Sequence, residues 1–169
     1  VPKGTSIFAY SDQNDTCHFQ TCYDIDLAPI SVVDCEIITR RQTSLSVGHD
    51  VPNRFLRLTL SAFGGNLGRL TLPHVRFYIH GGSVLQHALY EGLFSQKNPT
   101  VCALSKNQEP VFLPAGSLKP VGFGADHTLM RGGASSSFSY GVLFDYCHFP
   151  EKFFFFDVIN VTLMGDGAT

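Results

Sequence analysis

Seven histidines and five cysteines are the side chains of this 169-residue chain best suited to metal ligation or nucleophilic attack. Zinc sites encoded locally bring their ligands in closely spaced pairs, because neighbouring residues then converge on one ion. No histidine pair here reads HxH, HxxxH or HExxH, and Cys17, Cys22, Cys35, Cys102 and Cys147 contain no CxxC. His74 and His80 share the more polar face of one alternating segment, six residues apart. No metal and no cofactor is expected. For acyl-transfer chemistry the nearest fragments are Gly48-His49-Asp50, Ala125-Asp126-His127 and the serines from Ser135 to Ser137. Adjacency in sequence does not make a triad, whose geometry comes from tertiary contacts. There is no GxSxG elbow, and Gly122-Phe123-Gly124 lacks the Lys-Ser/Thr that completes a phosphate loop. No catalytic residue is assigned; a hydrolase with a dispersed site is the third-ranked reading.

The cysteines bear on compartment. An odd number leaves one thiol buried or bonded to a segment outside this sequence, and sequence does not choose among the pairings; ordinary buried thiols in a reduced protein are the alternative. Two usable sequons, Asn14-Asp15-Thr16 and Asn160-Val161-Thr162, point the same way as disulfides, whereas Asn98-Pro99-Thr100 is blocked by its proline. Asn14 and Asn160 are therefore the expected glycosylation sites of a secreted glycoprotein with at least one disulfide. The small polar loop Arg131-Gly132-Gly133 is the expected binding loop; a solvated connection is the plain alternative.

Composition excludes several partners. Hydrophobic residues make up 44%, charged residues only 15%, and the formal net charge is −2, so nothing attracts a phosphate backbone. The run Phe153 to Phe156 stops at Asp157, so no segment has a membrane-spanning length. No apolar h-region of signal-peptide length follows Val1-Pro2-Lys3, so the start does not read as a signal peptide, and an exported protein would be present as a mature or excised fragment.

These residues are positioned by short strands. In 54–63, Leu56, Leu58, Leu60 and Ala62 oppose Arg57, Thr59 and Ser61; in 74–80, Val75, Phe77 and Ile79 oppose Arg76, Tyr78 and His80. In 138–146, Phe138, Tyr140, Val142, Phe144 and Tyr146 oppose Ser139, Gly141 and Asp145. Such period-2 alternation predicts strands with one buried face, placing Leu58, Leu60, Tyr140, Val142 and Phe144 inside. Weaker strands are expected at 6–10, 30–39, 84–90, 111–113, 118–123 and 153–163, with 84–90 alternatively a helical turn. Gly64-Gly65-Asn66, Gly81-Gly82, Pro114-Ala115-Gly116 and Arg131-Gly132-Gly133 supply turns. The pattern predicts a single all-β domain over 1–169, an antiparallel β-sandwich of jelly-roll-like form.

The order of features from Cys35 to Tyr146 resembles a CUB domain. Cys35-Glu36-Ile37 matches the strand that a cysteine opens, 55–63 the aliphatic strand, and 74–82 the next strand and its turn. Gly116-Ser117-Leu118 leading to Phe123-Gly124-Ala125-Asp126 matches the strand before the last loop, and 140–146 the closing strand. The resemblance implies an extracellular sandwich; of its calcium ligands only Asp126 finds a match, too few for a cage. The expected function is a non-enzymatic extracellular binding module, secreted or on the cell surface, contacting a protein or glycan through loops or a sheet face. The alternative is a viral coat or attachment jelly roll that self-assembles in the virion.

Overall fold

The computed structural model describes residues 1–39, 41, 54–64, 74–95, 102–103, 111–129 and 138–159. Among them the strands are β1 (Ser6–Tyr10), β2 (Thr16–Gln20), β3 (Ile30–Thr39), β4 (Arg54–Ala62), β5 (His74–Tyr78), β6 (Cys102–Ala103), β7 (Val111–Phe112), β8 (Leu118–Pro120) and β9 (Phe155–Ile159). The helices are α1 (Ser83–Phe94) and α2 (Phe138–His148), with 3-10 turns at Ala125–His127 and Pro150–Phe154. Among the described residues every strand pair is antiparallel, so the all-β, antiparallel expectation holds there apart from the few helices. Two compact units divide it. One comprises Val1–Leu27, His74–Pro99 and Ala115–Ile159; the other Ala28–Pro73, Thr100–Pro114 and Asn160–Thr169.

The first unit is built on a sheet of order β5-β9-β8. Register sets Phe77 and Pro120 on either side of Phe156, and Val75 and Leu118 on either side of Val158. One face therefore carries only apolar side chains, and Val75, Leu118 and Phe156 are buried there, as is Ile79 just beyond β5. The Phe77 and Phe156 rings stack at 5.5 Å. Pro120 lacks an N–H, and it sits on an edge strand where the ladder tolerates that loss. The other face presents Arg76, Asp157 and Lys119 in one cross-strand row.

In the same unit β1 and β2 form a hairpin with register Ser6↔Gln20 to Tyr10↔Thr16. Its turn is internally tied: Ser11 Oγ accepts from the backbone N–H of Gln13 and Asp15, at 3.3 and 3.1 Å. Asn14 takes the left-handed conformation (φ 64°), which asparagine tolerates better than most residues. The turn is hydrogen-bonded to itself although it is exposed.

Three expected strands depart from the strand reading; the one expected at 153–163 starts only at Phe155, because Phe153 and Phe154 belong to the 3-10 turn. The run 84–90 lies within α1, the helical alternative, and α1 has no buried residue. The run 138–146, expected to close a sheet, is α2. Alternation alone does not see the polar partners: Asp145, assigned to the outer face, is buried, whereas Tyr140 is 63% and Tyr146 57% exposed. Val142 and Phe144 are half-buried. A Cβ built on Gly141 would lie 2.9 Å from Thr128 Cγ2, so the glycine allows the helix to approach the preceding loop. Tertiary contacts override the intrinsic preference of this aromatic run for extended structure.

The second unit pairs β3 with β4 and β6 with β7. A β-bulge at Val33 shifts the register between Val32↔Leu60 and Asp34↔Thr59. It absorbs one extra residue, so Ile30, Val32, Cys35 and Ile37 all share the face of Leu56, Leu58, Leu60 and Ala62. On the opposite face Glu36 accepts from Arg57 in an exposed ion pair. Leu58 and Leu60 are half-buried rather than inside, because Ile37, across from Leu56, is 56% exposed and nothing described seals that face.

Phe156 lies between two strands at the centre of the first unit's core. Phe156→Ala is expected to lower unfolding free energy by about 3–5 kcal/mol, from lost burial plus a cavity. Leu143→Ala, on the outer side of α2, should stay within about 0.5 kcal/mol. Denaturant titration of both variants checks the contrast; equal losses would refute the described core.

Candidate functional site

The polar groups with the most demanding environment lie in the first unit. α2 carries Asp145 inward and the 3-10 turn after it carries Lys152 inward, and each is 2% exposed. Their side chains form a direct ion pair. Charges removed from water persist only when paired and hydrogen-bonded, and both conditions are met. Asp145 Oδ2 also accepts from the Leu129 N–H at 3.0 Å, while Lys152 Nζ donates to the His127 carbonyl at 2.8 Å. Gly122, at φ 104°, passes so close that a Cβ there would meet Phe153 and Lys152 at 3.2 and 3.3 Å.

His127 extends the network outward. Its Nδ1 accepts from the Gly122 N–H at 3.1 Å, and its carbonyl accepts a second bond, 2.9 Å, from the Tyr23 hydroxyl. The two rings meet edge to face at 5.4 Å. Over the Tyr23 ring lies the Arg76 guanidinium, 5.4 Å from its centre, which is itself forked onto Asp157 at 2.7 and 2.8 Å. Burial pushes the Tyr23 phenol up to about 12, with Asp145 adding to the rise and Arg76 opposing it. The bond to Asp157 raises Arg76 above its ordinary value. Tyr23, Asp24, His74, Arg76, Asp126 and His127, with Lys3, line a cleft of about 210 Å³. Lys3 is committed there too: its backbone N–H donates to Asp24 at 2.6 Å and its ammonium to the Asp126 carbonyl at 2.5 Å.

These bonds cross-link the N-terminal segment, β5, β9, the Ala125–His127 turn and α2. Of the sequence fragments considered for catalysis, Ala125-Asp126-His127 lies in this network, where His127 accepts from a backbone amide. Gly48-His49-Asp50 and the serines lie outside the described residues, as do Arg131, Gly132, Gly133 and Asn160. Asn14 is exposed at the β1–β2 turn. Sequence reading missed Tyr23, Asp145 and Lys152, whose roles depend on partners far along the chain. The Arg76–Asp157 pair had a trace, each being the lone charge in an otherwise uncharged strand.

Exposed apolar surface is the other candidate. In the β1–β2 hairpin Phe8 is 62%, Tyr10 67% and Phe19 57% exposed. Ile7 is also exposed, and no residue of either strand is buried. In the second unit the β3–β4 ribbon leaves Val32, Val33 and Ile37 exposed.

Comparison with known proteins bears on these surfaces. The family described as "Type VI secretion system, TssF" matches residues 1–164. No curated protein matches the chain. A chain of the type VI secretion system TssK-TssF-TssG baseplate subcomplex, solved by cryo-electron microscopy, superposes with a TM-score of 0.72 at 21% identity. That alignment covers 98% of this chain and 31% of the other.

These matches overturn the resemblance to CUB domains, which rested on generic alternation and on a closing strand that folds as α2. With it go the extracellular binding module, the viral coat alternative and the secreted and virion addresses. The expected disulfide is corrected directly: Cys17, Cys22, Cys35 and Cys147 are free thiols. The glycoprotein reading of Asn14 and Asn160 falls with the export it presupposed, and nothing supports a glycan partner. Among the described residues no helix is long and apolar enough to cross a membrane.

Removing one member of the buried pair isolates the other. Lys152→Met is expected to cost about 3–5 kcal/mol, and adding Asp145→Asn should restore at least half of it; thermal or denaturant melts check both. An equal loss in the double variant would show that the pairing is not what Lys152 supplies. Tyr23 predicts a pH effect. Since folding raises its pKa from 10.0 to about 12, its contribution is complete below pH 10 and lost as pH rises to 12. Unfolding midpoints should therefore fall across that window, and Tyr23→Phe should lower the plateau while flattening the fall.

Proposed function

The chain belongs to the TssF family of type VI secretion system proteins, and from that premise we propose that it is a non-enzymatic structural part of a baseplate, acting by binding other protein subunits. The observation that carries this reading is the set of apolar side chains that each of the two ribbons leaves exposed. Side chains such as Phe8, Tyr10, Phe19, Val33 and Ile37 each lose a favourable burial term while they face water. Contiguous exposed apolar surface marks sites where another protein docks. The polar network fits the same role, because it braces the first unit internally.

The similar structure names TssK and TssG beside TssF, and we take proteins of those two types as the partners. The address that follows is the cytoplasmic baseplate of the bacterium that builds the machine. Free thiols at Cys17, Cys22, Cys35 and Cys147 suit a reducing compartment.

Co-expression of the tagged full chain with TssK and TssG from the same bacterium tests the proposal. All three should co-elute on size exclusion as one stoichiometric species. Elution of the chain apart from both partners, with its circular dichroism spectrum intact, would overturn it.

A further inference from the structure

Histidines of this chain differ in what their Nδ1 atoms face. His87 and His148 aim Nδ1 at the Ser83 and Phe144 carbonyls, at 2.6 and 2.8 Å, where it carries a proton. His74 Nδ1 faces an Asp26 carboxylate oxygen at 3.8 Å. A proton on Nδ1 fits all three places. His127 is the opposite case, because its Nδ1 accepts from the Gly122 N–H at 3.1 Å. That bond exists only while Nδ1 is bare and the ring's one proton sits on Nε2.

We propose that His127 is an acid-sensitive latch of the first unit, closed by the neutral ring and opened when a proton reaches Nδ1. Its backbone joins three segments. The His127 N–H donates to the Gly124 carbonyl at 3.0 Å, which closes the turn. The His127 carbonyl holds the Tyr23 hydroxyl of the N-terminal segment and the Lys152 ammonium beside α2, at 2.9 and 2.8 Å. Protonation sets N–H against N–H, so the ring must leave and the Gly122 amide loses its partner. Tyr23 and Lys152 then lose the position of their shared anchor.

The ring is half-buried, so a proton reaches it from the cleft. Of the charged groups packed round it, Lys152 is paired with Asp145 and Arg76 with Asp157. Tyr23 is neutral, since burial pushes its phenol up to about 12. Lys3 and His74 share the cleft with Asp24 and Asp126, two exposed carboxylates that attract the ring once it is charged and released. The released ring takes a proton where ordinary histidine does, near pH ~6.5, and the latched ring does not. Acid therefore favours the open form and neutral pH the closed one.

The latch lies wholly within the first unit and does not depend on the partners proposed above. Hydrogen exchange of the full chain at about pH 7.5 and 5.5, corrected for the intrinsic pH dependence of exchange, reads its opening. Residues 121–129 and 1–27 should open about tenfold more often at the lower pH, while β5 and β9 stay protected. His127→Asn keeps an acceptor at the same δ position without a titrating ring, and in that variant the increase should vanish. NMR of the nitrogen-labelled chain at the higher pH should show His127 protonated on Nε2 alone. A proton on Nδ1 there overturns the latch. So does an equal increase in His127→Asn, which would place the acid response elsewhere, or an increase spread evenly over the sheet, which would make it global. Where His127→Asn does not fold, the ring signals and the exchange map of the unaltered chain decide.

Discussion

The buried pair of Asp145 and Lys152 is the constraint on which the first unit turns. A carboxylate and an ammonium withdrawn from water cost several kcal/mol each unless every lone pair and proton is met, and here the meeting points come from separate segments. Asp145 takes the Leu129 amide as well as Lys152; Lys152 takes the His127 carbonyl as well as Asp145. The position of α2, the bend into the Pro150–Phe154 turn and the course of the backbone through 127–129 are thus set together. From His127 the same logic runs to Tyr23, and from Tyr23 by ring contact to Arg76 and Asp157 on the sheet. An apolar core of equal size would tolerate small slips that this network does not, because each slip leaves a buried polar atom without its partner.

That internal bracing contrasts with the surface. The first unit spends its polar groups inside and along the cleft, yet its hairpin shows water a run of aromatic and aliphatic side chains. The β3–β4 ribbon does likewise around Val33 and Ile37. Such an inversion is costly for a protein that works alone and ordinary for one whose surfaces are completed by neighbours. Within the first unit the exposed hairpin and the buried ionic network belong together: the polar groups are satisfied inside while the ribbon's apolar side chains stay uncovered.

Much of the strand structure was legible because alternation is a local property. β3 is the expected segment 30–39, β4 and β5 fall within 54–63 and 74–80, and β1 is the expected 6–10. β2 was missed, since Thr16 to Gln20 mixes cysteine, histidine and glutamine among its apolar residues. The run over 138–146 misled for the opposite reason: its alternation is clean, but Asp145 needs a lysine seven residues on and an amide sixteen residues back. The candidate site was mostly illegible on the same grounds. Tyr23 and His127 are 104 residues apart, and Arg76 and Asp157 81. The exposed hairpin aromatics were invisible too, because sequence records that a residue is apolar and not whether anything covers it.

The bulge at Val33 has a consequence for how this part of the family can drift in length. A one-residue insertion or deletion in β4 would exchange its leucine row for Arg57, Thr59 and Ser61 throughout the strand beyond the change. In β3 the ladder already swallows one surplus residue at Val33, and the faces before and after it stay in phase with β4. Loss of that residue would flatten a local twist and leave every other pair in place. Position 33 is therefore a buffer for phase, a place where related chains can differ in length by one without turning the ribbon inside out.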